Sequence, residues 1–310
     1  MASITEAVRR RTLSLLTGNA QGRPDWVQQI EFGDDEGFFG PDSAAWVVHG
    51  GMATMVAGIR ALLMQTLHPG AMAGVHDWSR YKEDPLGRLS GTIQWLIGVT
   101  FSDTAMAERE STRVGRFHDR VRGRYLDAHG VERDYSAGDA ELLSWVHVVF
   151  TDAFLGSHLV WGKPIPGGAD QYVREWATAG RLVGVVDAPT SFAGLQAALA
   201  DFGPSLKSDE RVAEAVRFIR RPGLPSSAMP IYRILFAGAV ASIPRGYRRM
   251  LGLRRAWWPA VTSTRLVLWV MGRVLGSGST SEDAARRRIA RLAAAPAPSG
   301  VADPGVARRQ

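Results

Sequence analysis

The chain contains no cysteine, and that absence removes several chemistries at once. Disulfides, zinc ribbons, iron–sulfur clusters and thiol nucleophiles all need a sulfur atom that is missing here. A thiol-free sequence also suits a reducing compartment. Long hydrophobic runs are scarce too. Residues 1–16 alternate charged and apolar side chains without the continuous apolar stretch of a secretory signal. The most apolar late segment, 257–275, is interrupted by Arg265 and Arg273, which breaks it as a membrane span. The expectation is therefore a cytoplasmic protein with no transmembrane segment. Also missing are a nucleophile elbow, a Walker loop, a dinucleotide fingerprint and an H-E-x-x-H motif. No Glu-x-x-His pairs of a di-iron bundle occur. The neighbouring carboxylates Asp34 and Asp35 sit in a loop and read as solvated.

What is present is enough for a sizeable core: 310 residues, 45% hydrophobic, with an ordinary charged fraction of 22%. One domain over 1–292 is the economical reading, followed by an Ala/Pro/Gly-rich tail, 293–310, expected to be disordered. The net charge of +7 comes mostly from arginines spread over many segments and concentrated near both ends, at Arg9 to Arg11 and Arg286 to Arg288. No groove-reading motif accompanies them, so no nucleic-acid partner is expected.

Helical periodicity dominates, and no alternating run is long enough to demand a sheet. The spacing predicts helices over 3–17, 43–66, 69–78, 84–101, 103–124, 137–161, 168–185, 190–202, 208–219, 228–251, 257–275 and 280–294, an all-α fold. Residues 18–40 read as an irregular connection. Ser102 or Asp103 caps the helix after it, and Ser136 followed by Asp139 opens another. Pro244 kinks or restarts the apolar pattern around it.

Seven histidines are the main chemical resource. His129 lies in a hydrophilic turn. His118 is the most informative, because the inward stripe of its helix, read at steps of three and four, is Ala107, Ser111, Val114, His118, Val121. A buried imidazole must have a partner, since leaving it unpaired costs about 1–3 kcal/mol. That partner is a backbone carbonyl, a carboxylate, or a metal with the second ring nitrogen held by an acceptor. Arg88 and Thr92 are four apart and share a helical face, where a guanidinium and a hydroxyl suit carboxylate ligands, or else are a surface arginine and a helix-interior threonine. His68 ends one apolar run before Pro69 and is expected to bond the last carbonyls of its helix. His147 and His158 are eleven apart on one predicted helix and read as core histidines or as the wall of a pocket.

Six segments in order resemble the rubber oxygenase and MpaB-type oxygenase catalytic domain family, which includes latex clearing proteins. They are Phe39-Gly40-Pro41-Asp42-Ser43 with Trp46-Val47-Val48-His49; Arg60-Ala61-Leu62-Leu63-Met64-Gln65 with His68-Pro69; and Asp84-Pro85-Leu86-Gly87-Arg88-Leu89 with Thr92. The others are Phe117-His118-Asp119-Arg120-Val121-Arg122-Gly123, similar to H-x-x-V-x-G; Tyr135-Ser136-Ala137 with Leu142-Leu143-Ser144-Trp145-Val146-His147; and Ile243-Pro244 with Arg248-Arg249-Met250-Leu251-Gly252-Leu253.

The resemblance implies a globin-like helical bundle around a haem pocket. It implies non-covalent haem b with His118 as proximal iron ligand, and Arg88 and Thr92 lining or anchoring it. Where latex clearing proteins place a lysine before the threonine, this chain has Gly91, which implies an open distal side and departs from polyisoprene cleavage. The implied activity is a haem-dependent oxygenase using dioxygen on an apolar small or medium organic substrate, its general base unassigned beyond Glu83 and Asp84 as candidates. The alternatives are a haem peroxidase or peroxygenase-type oxidase of natural-product assembly, and a helical haem or apolar-ligand binding protein without turnover.

Overall fold

The computed structural model describes residues 25–78, 85–254, 256–275 and 280–294, without the side chains of 78, 85–89 and 275. Among them are fourteen α-helices and one two-stranded hairpin, so the all-α expectation holds. The first elements are α1 (Asp25–Gln29), a 3-10 turn (Ile30–Phe32), α2 (Ala44–Gly50), α3 (Thr54–Gln65), α4 (Pro69–Trp78), α5 (Pro85–Phe101) and α6 (Thr104–His118). The hairpin is β1 (Arg122–Leu126) with β2 (Glu132–Ser136). Then follow α7 (Ala140–Trp161), α8 (Gly168–Leu182), α9 (Phe192–Asp201), α10 (Glu210–Arg220), α11 (Met229–Ser242), α12 (Arg245–Met250), α13 (Ala260–Leu275) and α14 (Thr280–Ala294). The helix predicted over 3–17, the candidate bases Glu83 and Asp84, and residues 295–310 lie outside the described residues.

The longest helix, α7, is the central post. It buries Trp145, Val148, Val149, Phe154 and Leu155, and it packs most extensively against α3, which contributes Val56, Ile59, Leu63 and Met64. The indole nitrogen of Trp145 donates to the Gln65 carbonyl at 3.1 Å. Between the two helices lies one buried ion pair, Arg60 with Asp152. Of the described helices, α7 alone is both long and apolar enough to cross a membrane, and 61% of its most apolar window is buried inside the fold.

Three predicted spans differ in kind from the structure. The span 43–66 is two helices meeting at a bend of 90°, because Gly51, Met52 and Ala53 form a turn between them. The span 18–40 contains α1 and the 3-10 turn, both held by α14: Arg288 is fully buried and donates to the Ile30 carbonyl at 2.7 Å. The span 103–124 ends at His118, and its last residues are instead β1. The β1–β2 pair runs antiparallel with Tyr125 opposite Arg133. Its turn is closed by Asp127, whose carboxylate accepts from the backbone of His129 and of Val131 at 2.9 Å each. The inward sides of Val121 and Tyr135 form a small second core with Ala73 of α4 and Leu142 of α7. Pro244 separates α11 from α12, the restart expected there.

Candidate site on the α5–α6 hairpin

Helices α5 and α6 are antiparallel neighbours joined by a tight turn. Asp103 is the cap, its carboxylate accepting from the Met106 amide at 3.1 Å. Three polar links set their register. Trp95 donates from its indole nitrogen to the Ser111 hydroxyl at 3.1 Å, Gln94 donates to the Glu110 carboxylate at 3.0 Å, and Arg113 reaches the Gly91 carbonyl at 3.3 Å. One helical turn beyond the last link, position 88 of α5 comes level with positions 116–118 of α6. Positions 88, 92, 95 and 99 form one stripe of α5, and its deeper members face the core: Val99 is buried and Trp95 packs edge-on against Trp176 of α8 at 6.1 Å. The fold therefore brings Thr92 and the backbone of Arg88 to the same end of the hairpin as His118. Thr92 is half-buried; the Arg88 side chain lies outside the described residues.

His118 is the last residue of α6 and is half-buried rather than fully enclosed. Of the predicted stripe, Ala107, Ser111 and Val121 are buried, whereas Val114 is half-buried. The reason is that the helix stops at His118, so Val121 belongs to the second core instead. Burial pushes the His118 imidazole below its ordinary range, and the carboxylate of Asp119 opposes this only in part. Its described ring contact is with Phe117 at 6.3 Å, and Phe117 is itself 56% exposed. The ring thus presents neutral nitrogen lone-pair chemistry at a partly open surface. A side chain added at Gly91 or at Gly115 would meet no atom within 4 Å, so both helices leave space on that flank.

The Nδ1 of His68 accepts from the Gly70 amide at 3.2 Å, and its Nε2 lies 3.4 Å from Glu141. It therefore caps the helix that follows, α4, instead of bonding the carbonyls of the helix before it, because Pro69 turns the next amides back onto the ring. His147 is buried against Gly180 of α8. His158 is buried with Nε2 at 2.8 Å from the Lys163 carbonyl. His76 faces Asp77 at 3.0 Å and Glu214 at 3.6 Å. His129 is exposed, as expected.

Reasoning from sequence did not single out His49. Its ring is stacked on Phe154 at 4.9 Å, lies 4.2 Å from Trp176, and pairs through Nε2 with the Tyr172 hydroxyl at 3.1 Å. Burial pushes its pKa down to about 3. Through Trp176 this aromatic cluster is continuous with Trp95 and hence with the hairpin. The signal available was one histidine in the apolar run Trp46-Val47-Val48-His49, and nothing in it pointed to α8.

Among the described residues no three His, Asp or Glu side chains converge as a metal centre. Two open hollows, one beside Pro244 and Tyr247 and one beside Arg122 and Tyr135, are lined by neither Thr92 nor His118. Comparison with known families gives one match, over residues 46–277, to the ER-bound oxygenase mpaB/B'/Rubber oxygenase catalytic domain. Neither the curated proteins nor the solved structures give a match. The matched span holds α3, α7 and the whole α5–α6 hairpin, so this chain belongs to the mpaB/rubber oxygenase catalytic domain family, a family of oxygenases.

Proposed function

We propose that the chain is a haem b-dependent oxygenase in which His118 is the proximal iron ligand and the co-substrates are dioxygen and an apolar organic molecule of small or medium size. The observation that carries this reading is the state of His118: a neutral, half-buried imidazole at a helix end, level with positions 88 and 92. Neutral imidazole nitrogen is a favoured axial donor to haem iron, and thiolate is not available in this chain. The donor set therefore fits the group.

Arg88 and Thr92 would hold the haem propionates, the guanidinium through paired charge-assisted hydrogen bonds and the hydroxyl through one more. The bound haem supplies the redox chemistry of dioxygen activation. The protein's part is to orient and to exclude water. Trp95, locked to Ser111, keeps the two helices in register so that the ligand and the anchors act from one end of the hairpin. Gly91 places no side chain beside these anchors, and the space around its Cβ position is open to 4 Å.

The test is the visible spectrum of the purified protein titrated with haem. A Soret band at one haem per chain is expected. His118→Gly should lose or red-shift that band, and added imidazole should restore it, because a free ring can occupy the vacated position. A protein that takes up no haem, or a His118→Gly variant with the wild-type spectrum and stoichiometry, refutes the assignment. Turnover driven by peroxide and not by dioxygen would instead make it a peroxygenase.

A further inference from the structure

From Ala215 to Ser281 the sequence carries eleven arginines and not one aspartate or glutamate. Helix α13 lies in this stretch. Its inner edge, Ala260, Thr264 and Leu268, is buried, and the Thr264 hydroxyl donates to the Ile234 carbonyl of α11 at 3.1 Å. That packing already accounts for one apolar face. The opposite face is apolar again: Trp269 is 55% exposed, Leu266 60%, and Trp258, just before the helix, 95%. Arg265 and Arg273 stand one turn either side of Trp269; one guanidinium nitrogen of the exposed Arg265 donates to the Val160 carbonyl of α7 at 2.9 Å, leaving its other N–H groups outward, and the Arg273 guanidinium lies 4.3 Å over the Trp269 ring. Arg254, three residues before the tryptophan pair in sequence, is exposed.

We propose that this outer face of α13, with the Trp257–Trp258 turn, is a docking surface for an anionic lipid bilayer. Indole rings seat at the level of lipid headgroups, aliphatic side chains enter the acyl boundary, and arginines pair with anionic headgroups from the rim. A membrane span is not needed, since the arginines that interrupt the segment are the ones that meet the headgroups. A second copy of the chain fits poorly. A two-fold contact would set Arg265 and Arg273 against their own counterparts, and this stretch offers no carboxylate to offset them. Single-stranded nucleic acid would use the tryptophans and arginines but not Val261, Leu266 and Val270. The helix is anchored by its buried edge, so docking requires no folding step. The inference does not depend on haem.

The full chain is floated with vesicles of phosphatidylcholine alone or mixed with phosphatidylglycerol. Binding to the mixed vesicles only, weakening with salt, is expected. Trp258→Ser with Trp269→Ser should weaken partitioning roughly tenfold per ring, and Arg265→Gln with Arg273→Gln about fivefold per charge. The control pair Arg174→Gln and Arg211→Gln, exposed elsewhere, should change it less than about twofold. Brominated lipid should quench wild-type fluorescence, and far less so with both rings replaced by Phe. Thermal melts of every variant confirm folding. Failure to bind the anionic vesicles at low salt overturns the proposal, as does a tryptophan variant that binds like wild type. Tighter binding to a single-stranded oligonucleotide, or a dimer that the tryptophan changes dissolve, also overturns it.

Discussion

The indole of Trp95 donates to the hydroxyl of Ser111 at 3.1 Å, and Ser111 in turn donates to the Ala107 carbonyl at 2.9 Å. This two-step link ties the middle of α5 to the middle of α6, and the position of His118 relative to Thr92 is read from it. Ser111→Ala strands a half-buried indole N–H and is expected to cost about 1–2 kcal/mol in urea unfolding. Trp95→Phe should cost at least as much, from lost packing against Trp176. If the register argument holds, both variants also weaken haem affinity without touching His118. Unchanged haem titration in a destabilised Ser111→Ala protein would separate stability from positioning and defeat the argument.

A different dependence governs the centre of the bundle. Arg60 and Asp152 are both buried and paired, and the second carboxylate oxygen of Asp152 accepts from Gln196 at 3.4 Å. Asp152→Ala leaves a buried guanidinium without its counter-charge, at an expected cost of about 3–5 kcal/mol. Replacing both partners, Arg60→Met with Asp152→Leu, should recover most of that loss. Gly156 lies directly against the Arg60 guanidinium, so Gly156→Ala should also destabilise by displacing it. A loss below about 1 kcal/mol for Asp152→Ala, as for exposed pairs, would show that water reaches the site.

Much of this architecture is legible in the sequence because helices bury stripes, and stripes at steps of three and four survive in one dimension. The hairpin is not legible for the converse reason. Only Tyr125 and Tyr135 mark the inward side with large side chains, and Leu126, the other large apolar residue, is exposed, so the alternation has one strong point per strand. The break between α2 and α3 hides in an apolar run that continues through Met52. His118 and its neighbours were found through ordered motifs, whereas the enclosure of His49 depends on Tyr172, 123 residues away, which no local pattern can express. The link from Arg113 to the Gly91 carbonyl is likewise a property of two packed helices and of neither one alone.

Capping gives a prediction at the α3–α4 corner. The Nδ1 of His68 accepts from the Gly70 amide while Nε2 faces Glu141. His68→Ala should cost about 0.5–2 kcal/mol, the range for losing a helix cap, with added loss from the space left against Trp145 and Phe202. His68→Asn, whose amide oxygen can accept the same bond, should restore part of it. Equal melting temperatures for the Ala and Asn variants would mean that the ring acts through packing alone.

Acid stability follows from the two histidines whose pKa burial lowers furthest. Burial lowers the pKa of His49 to about 3, with His158 adding to the effect, and that of His147 to about 4, with Arg181 adding to it. An unfolded chain titrates each near the ordinary value of 6.5. Between these limits the unfolded state binds more protons than the native state, so stability must rise with pH there and fall as pH drops below about 6.5. Each ring contributes a slope of roughly 1.4 kcal/mol per pH unit, which ends near pH 4 for His147 and near pH 3 for His49. Urea denaturation across this range should show the combined slope. His147→Gln should remove that ring's share of the slope, roughly 1.4 kcal/mol per pH unit, between pH 4 and 6, because the amide occupies similar space and does not titrate. An unchanged slope in that variant would mean that His147 is protonated in the native bundle, against the burial that surrounds it.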